Sequence, residues 1–383
     1  PHVSRYAQVD VPCRQTIIRR NRVELFLTVT LKKIHNESVK VRYSILSKSQ
    51  NQMIRFFLFA GIILGSISFS WAYDQPQSAS LSGKKEIPKI TFKNLSPPYE
   101  DYDYFLGSQV YDFQFNATSF NLINAWWLGE ISTLVYADED FVRSRFEAAG
   151  LSNVRFFDKQ STQCFVANND KYAIVAFRGS EIWKKRETLD LNEVLADLKA
   201  DVDIRLVDWH QGGKVHRGFK EALDEVWPDL LPYISMLDDK GCKVWITGHS
   251  LGGALAVLCG GLYGKTQGVY TFGSPRVGDK NFKKHLNVKV YRIVNGKDIV
   301  SRIPSFGIFV HIGELKFIDS DGIIQDSMVE NELPVNQPRD ETYGQERSSQ
   351  TAFSFKGFIP APFRDHVPLL YAVHLWNNII ASQ

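Results

Sequence analysis

Apolar and polar positions fall in blocks along the chain, and block length separates strands from helices. Val244-Trp245-Ile246-Thr247 is apolar and β-branched, long enough for a buried strand and too short for a helix. Ala254–Tyr263 is almost continuously apolar, as a helix packed into a core would be, and Gly248-His249-Ser250-Leu251-Gly252 joins the two runs. Cys164–Ala167 and Tyr172–Phe177 are further apolar runs linked by Asn168-Asn169-Asp170, which predicts a hairpin. Asn121–Tyr136 repeats apolar residues at helical spacing behind Ser119, the predicted N-cap. Phe219–Leu237 reads as an amphipathic helix, and Gly268–Phe272 and Val288–Val294 read as strands. Within the charged stretch Glu181–Asp208, Asp190-x-x-Glu193 has capping-box spacing, and Leu191, Val194, Leu195 and Leu198 share one helical face. Strands alternating with helices predict an α/β fold with a largely parallel sheet, in one folded domain over 119–383.

The first 118 residues follow another pattern. Met53–Ala72 has Arg55 as a small positive n-region, an apolar run Phe56–Phe69 and small residues at Ser70 and Ala72, the layout of a secretory signal peptide over 53–72. The run is short for a hydrocarbon core of about 30 Å, which leaves a retained membrane anchor over 54–72 as the alternative. Residues 1–52 are basic, show no clear period and begin with Pro; the expectation is that Met53 is the true start and that 1–52 lie outside the native mature protein. Residues 73–118, whose first part is rich in Ser, Pro, Lys and Asp, read as an extended leader with little structure.

Charge sharpens this division. The formal net charge of +3 hides ten Lys/Arg against three Asp/Glu in 1–52, a net of +7. From Tyr73 onward 34 basic face 39 acidic residues, a net of −5, so the folded part has no electrostatic reason to seek nucleic acid. Of the four cysteines, Cys164, Cys242 and Cys259 lie beyond the signal region, which allows at most one disulfide there. No Cys/His spacing suggests zinc or another metal site.

Three predicted strands end in polar turns that carry Ser180, Ser250 and Asp298, and sites in open α/β sheets form beyond the carboxyl ends of strands. Gly248-His249-Ser250-Leu251-Gly252 matches the G-x-S-x-G nucleophile elbow, in which a serine stands on a sharp strand-to-helix turn. A serine hydroxyl needs a neighbouring base, and the base needs a third group to hold its tautomer. Among the downstream histidines, His285 sits in the Lys-rich FKKHL, His311 in a strand-like run and His374 two turns into the last helix. His366 follows a Pro-rich loop and opens that helix, which makes it the best base. Asp298 at a strand end is the best acid, ahead of Asp279, Asp319, Asp321 and Asp365. The oxyanion donors expected are the Leu251 backbone N–H and Ser180.

These residues resemble the class 3 lipases, the family typified by filamentous-fungal triacylglycerol lipases. The matching blocks include VAFRGS (Val175–Ser180), KVHRGF (Lys214–Phe219), ITGHSLGGALA (Ile246–Ala256), TFGSPRVGD (Thr271–Asp279), RIVNGKDIVSRIP (Arg292–Pro304) and FRDHVPLLY (Phe363–Tyr371). The resemblance implies an α/β-hydrolase-like fold with a mixed sheet, and ester hydrolysis without a cofactor. It assigns Ser250 as nucleophile, Asp298 as acid, His366 as base and Ser180 as oxyanion-stabilising serine. It also suggests that the helix near Asp190–Lys199 is, or adjoins, a lid; a fixed amphipathic helix is the alternative. Two departures bear on substrate: Lys184, Lys185, Arg186 and Glu187 charge the lid region, and Ile323–Phe358 reads as a polar insertion. The expectation is a secreted serine hydrolase acting on lipid acyl esters, with a lipid–water interface as the place of action. A soluble-substrate (aryl or feruloyl) esterase and a non-catalytic envelope-anchored binding protein are the alternatives.

Overall fold

Four central strands are buried at nearly every position because helices cover both faces of the sheet they belong to. The computed structural model describes residues 83–180, 205–304, 307–326 and 359–383, all within the compact unit Ser78–Gln383. The expectations for 1–72, for the helix near Asp190–Lys199 and for most of the polar insertion lie outside the described residues.

The main sheet has eight strands: β1 (Asn153–Asp158), β2 (Gln163–Asn168), β3 (Tyr172–Phe177), β6 (Lys243–His249), β7 (Gly268–Phe272), β8 (Val290–Asn295), β9 (Glu314–Ile318) and β10 (Ile324–Asp326), neighbours in that order. The five strands β3-β6-β7-β8-β9 run parallel, while β1, β2 and β10 pair antiparallel at the edges. The sheet is therefore mixed and mostly parallel, as expected. A separate two-stranded ribbon joins β4 (Leu206–Asp208) to β5 (Lys214–His216).

Period-two alternation sends successive side chains to opposite layers. Ala173, Val175 and Phe177 of β3, with Val244 and Ile246 of β6, face α3 (Arg217–Asp239) and α4 (Leu251–Tyr263). Ile174, Ala176 and Trp245 face the layer built from α1 (Leu122–Leu134), α2 (Glu139–Ala148) and the last helix. That last helix is α7 (Pro368–Ala381), preceded by the short α5 (Lys280–His285) and α6 (Ala361–Arg364). Helix α3 holds Pro228 and Pro232 in its interior, each costing about 3 kcal/mol. Its buried stripe of Phe219, Leu223, Val226, Leu230, Ile234 and Leu237 outweighs that cost, at about 1.5–3 kcal/mol per side chain.

The N-cap of α1 is Asn121, whose Oδ1 accepts the Asn124 N–H at 3.0 Å, and not Ser119. Asn121 directly precedes the first helical residue, where an acceptor can reach the free N–H groups. The leader also differs from expectation. Residues 83–118 carry no helix or strand, yet Leu95, Tyr99, Tyr104, Phe105, Tyr111 and Phe113 are buried. Its polar composition masks an aromatic series that completes the core. Cys164, Cys242 and Cys259 are all buried free thiols.

Candidate active site

The carboxyl ends of β3, β6, β7 and β8 lie side by side, since Phe177 pairs with Gly248 and His249 with Phe272. Leaving β6, the chain turns sharply into α4 through Ser250, which has φ +58° and ψ −129°. A non-glycine residue in that region is strained by about 1–3 kcal/mol and persists only where its surroundings enforce it. Here the Ser250 N–H donates to the Phe272 carbonyl at 2.9 Å, and the Gly253 N–H donates to the Ser250 carbonyl at 2.9 Å. A Cβ on Gly248 would lie 2.2 Å from the Gly252 carbonyl oxygen, and one on Gly252 would lie 2.2 Å from that of Phe177. The two glycines let helix, turn and neighbouring strand approach this closely.

The turn brings Ser250 to His366, which sits between α6 and α7. Ser250 Oγ and His366 Nε2 are 3.0 Å apart, and His366 Nδ1 lies 2.9 Å from Asp298 Oδ2. A buried carboxylate only accepts, so Nδ1 carries the proton and Nε2 is left to accept from the serine hydroxyl. Asp298 is fully buried, and its charge is answered by further donors. Oδ1 accepts from the Val300 and Ser301 N–H groups at 2.8 and 3.4 Å, and Oδ2 also accepts from the Tyr371 hydroxyl at 2.5 Å. Burial, then the Asp298 charge, push the Tyr371 phenol well above its ordinary range, which keeps it a donor.

A second histidine, His249, lies against the first, with ring centroids 4.4 Å apart. Its Nε2 is 2.7 Å from the His366 carbonyl oxygen, which can only accept, so that nitrogen bears the hydrogen. Its Nδ1 then accepts from the Tyr136 hydroxyl at 3.0 Å. Burial first, and the neighbouring His366 second, hold His249 well below the usual imidazole range, so it stays neutral. The Tyr136 oxygen also packs on Gly179, where an added Cβ would lie 2.1 Å away. One hydroxyl from the end of α1 thus touches the turn after β3 and, through His249, grips the backbone of His366.

Ser180, Ser250 and His366 line one pocket. Its apolar walls are Phe363 and Val367, which flank His366, and Leu95 and Pro97 from the leader. Leu251 opens α4, and the first N–H groups of a helix have no intrahelical acceptor and carry its positive end.

The other sequence candidates stand elsewhere. His285 is exposed on α5, and Asp279 caps that helix by accepting the Phe282 N–H at 2.7 Å. His311 precedes β9; burial, with Arg292, Arg276 and Lys283 adding to it, pushes its pKa down to about 2. His374 is half-buried on α7, and Asp319 accepts N–H groups within its own turn. Asp365 turns from the ring of its neighbour and instead binds Arg364 and the Lys297 N–H. Sequence reasoning missed Tyr136, His249, Tyr371 and the leader's Leu95 and Pro97. A lone hydroxyl in the apolar run Pro368-Leu369-Leu370-Tyr371-Ala372-Val373 was the one available signal. Among the described residues no group of three or more His, Cys, Asp or Glu is placed to hold a metal ion.

Comparison with known proteins gives the following similarities. Residues 174–307 match the family model described as lipase (class 3). A lipase of Rhizomucor miehei is 36% identical over 173 residues, 40% of this chain and 44% of that protein. A secreted mono- and diacylglycerol lipase of Malassezia globosa is 30% identical over 149 residues, 34% of this chain and 46% of that protein. This chain therefore spans less than half the length of these relatives. The structure of a Rhizomucor miehei lipase propeptide complex (a deletion mutant) aligns at 26% identity with a TM-score of 0.41, covering 54% of this chain and 69% of that one.

Proposed function

On the premise that this chain resembles the class 3 lipases over residues 174–307, we propose that it is a secreted serine hydrolase of lipid acyl esters. The observation that carries the reading is the unbroken line Ser250 Oγ–His366 Nε2–His366 Nδ1–Asp298 Oδ2, with contacts of 3.0 and 2.9 Å. Ser250 Oγ attacks the ester carbonyl carbon while His366 Nε2 takes its proton. Asp298 stabilises the imidazolium so formed and remains a carboxylate. The negative oxygen of the tetrahedral intermediate is met by the Leu251 N–H and by Ser180, each donor contributing about 10²–10³ in rate. His366 returns the proton to the departing alkoxide, leaving an acyl ester on Ser250. Water, deprotonated by His366 in turn, then releases the acid.

Export is supported by the signal-peptide pattern of 53–72 and by the word "secreted" in the name of the Malassezia relative. Among the described residues no helix is long and apolar enough to cross a membrane. Lipid as substrate is supported by the names of the relatives and by the apolar walls of the pocket. Ser250→Ala should lower p-nitrophenyl ester turnover by about 10³-fold or more and abolish labelling by a fluorophosphonate probe, with the melting temperature nearly unchanged. Wild-type turnover in that variant would reject the reading. A soluble-substrate esterase is the second reading, favoured by the charged run Lys184–Glu187. A jump in rate above the solubility limit of a short triacylglycerol would exclude it.

A further inference from the structure

Residues 85–102 form a loop whose two ends are tied to one buried carboxylate. Glu130 of α1 is fully buried. Its Oε1 accepts from the Tyr102 hydroxyl at 2.7 Å and from Lys85 Nζ at 3.4 Å, while Oε2 accepts the Phe105 N–H at 3.4 Å. Lys85 Nζ also donates to the Tyr102 oxygen at 2.5 Å, which closes the loop on itself. The entering segment of this loop is held to α7 as well. The Asn377 side-chain amide takes both backbone groups of Lys85, at 2.7 and 2.9 Å, and Trp376 Nε1 donates to the Gly83 carbonyl at 3.1 Å.

Between these anchors the loop reaches the pocket above Ser250. Asn94 folds it locally: Oδ1 accepts the Thr91 N–H at 2.6 Å and Nδ2 donates to the Lys89 carbonyl at 3.1 Å. The next turn presents Leu95 and Pro97, which line the pocket beside Ser250 and His366. Leu95 is 5% exposed and packs in one cluster with Tyr99, Val300, Phe363 and Val367. Val300 follows Asp298 by two residues, and Phe363 and Val367 flank His366. The leader residues that line the pocket, Leu95 and Pro97, are thus both apolar.

We propose that Leu95 and Pro97 are the wall that sets the acyl length this enzyme accepts, and that with the wall intact short acyl chains are preferred. The inference rests on the ester-hydrolase reading. It identifies the specificity-determining segment as one outside residues 174–307, in a leader whose composition reads as a linker. Anchoring at both ends makes the segment a fixed wall and not a cover displaced before each turnover, because moving it would take Lys85 and Tyr102 from a buried carboxylate and leave it only Trp126 Nε1 and the Phe105 N–H.

The test is kcat/KM for p-nitrophenyl acetate, butyrate, octanoate and palmitate in the wild type, Leu95→Ala, Leu95→Val and Leu95→Trp. Each rate is normalised to active sites titrated with a fluorophosphonate. The octanoate-to-butyrate ratio should rise about 10-fold in Leu95→Ala, since a methylene's worth of pocket space discriminates by roughly 10–200-fold. It should rise less in Leu95→Val and fall below the wild-type value in Leu95→Trp. Ratios unchanged in Leu95→Ala and Leu95→Val, with titratable sites intact, overturn the proposal. So does a uniform rise for every ester, which would make the loop a cover. Failure of the wild type to label or to turn over any of the four esters overturns the hydrolase reading itself, and the wall with it.

Discussion

Tyr136 touches no reacting atom in the proposed mechanism, yet its hydroxyl bears on two loops that do the chemistry. It donates to His249, and His249 donates to the carbonyl of His366. Tyr136→Phe leaves the His249 Nδ1 lone pair buried without its donor, a cost of about 1–3 kcal/mol. The grip on the His366 backbone loosens with it. The expected outcome is a fall in kcat of about 10-fold with KM nearly constant, since a displaced base harms the transition state more than substrate binding. Steady-state kinetics on a p-nitrophenyl ester read this directly; a change confined to KM would mean that Tyr136 serves only as pocket wall. Ser250, Asp298 and His366 were legible as candidates because each stands at a strand end or loop–helix junction, in a workable chain order. Tyr136 and Tyr371 were not, because a tyrosine in a buried helix carries no mark of what its hydroxyl meets.

At the scale of elements, the β6–α4 turn is the part most nearly dictated by local sequence. Glycines at 248 and 252 permit contacts that a Cβ forbids, and the serine between them takes the strained φ. Gly252→Ala would set a methyl 2.2 Å from the Phe177 carbonyl oxygen. Either β3 or α4 must then shift. Overpacking of this kind costs about 1–3 kcal/mol, and the displaced α4 moves the Leu251 N–H from its place beside Ser250. Urea denaturation should register the stability loss and ester turnover should fall at least 10-fold. A variant with wild-type turnover would show that the helix start is free to adjust. The edge strand β1 is not legible in the sequence because only two of its six residues are buried and NVRFFD does not alternate cleanly. The N-cap was misplaced by two residues because Ser119 and Asn121 are both good caps, and only the path of the chain selects between them.

For the whole molecule, one buried and two half-buried histidines couple stability to pH. His249, His311 and His374 are each held below the ordinary imidazole value, in every case first by burial. Unfolded, these rings take up protons as pH falls through about 6.5; folded, they resist. The unfolded chain therefore binds more protons below that pH, and stability, complete above it, declines as the medium acidifies. Each such ring contributes a slope of up to about 1.4 kcal/mol per pH unit. Urea midpoints at pH 7.5, 6.5 and 5.5 should fall in that order, with the larger drop in the second interval. A level profile would contradict the burial of these rings.

By itself the sequence determined the strand–helix alternation, the elbow at Ser250 and the strand ends at which Ser180 and Asp298 stand. Those features depend on period, glycine placement and chain order, all of which are local. Only the tertiary structure decided that Tyr136 and His249 hold the backbone of His366, that Tyr371 donates to Asp298, and that a leader of polar composition supplies the wall above Ser250. The hydrogen bonds among these join residues up to 117 positions apart, and they exist because burying aromatic surface draws the leader, α1 and α7 onto one face of the sheet. Which polar group meets which is settled by how those elements pack, and no spacing along the chain encodes it.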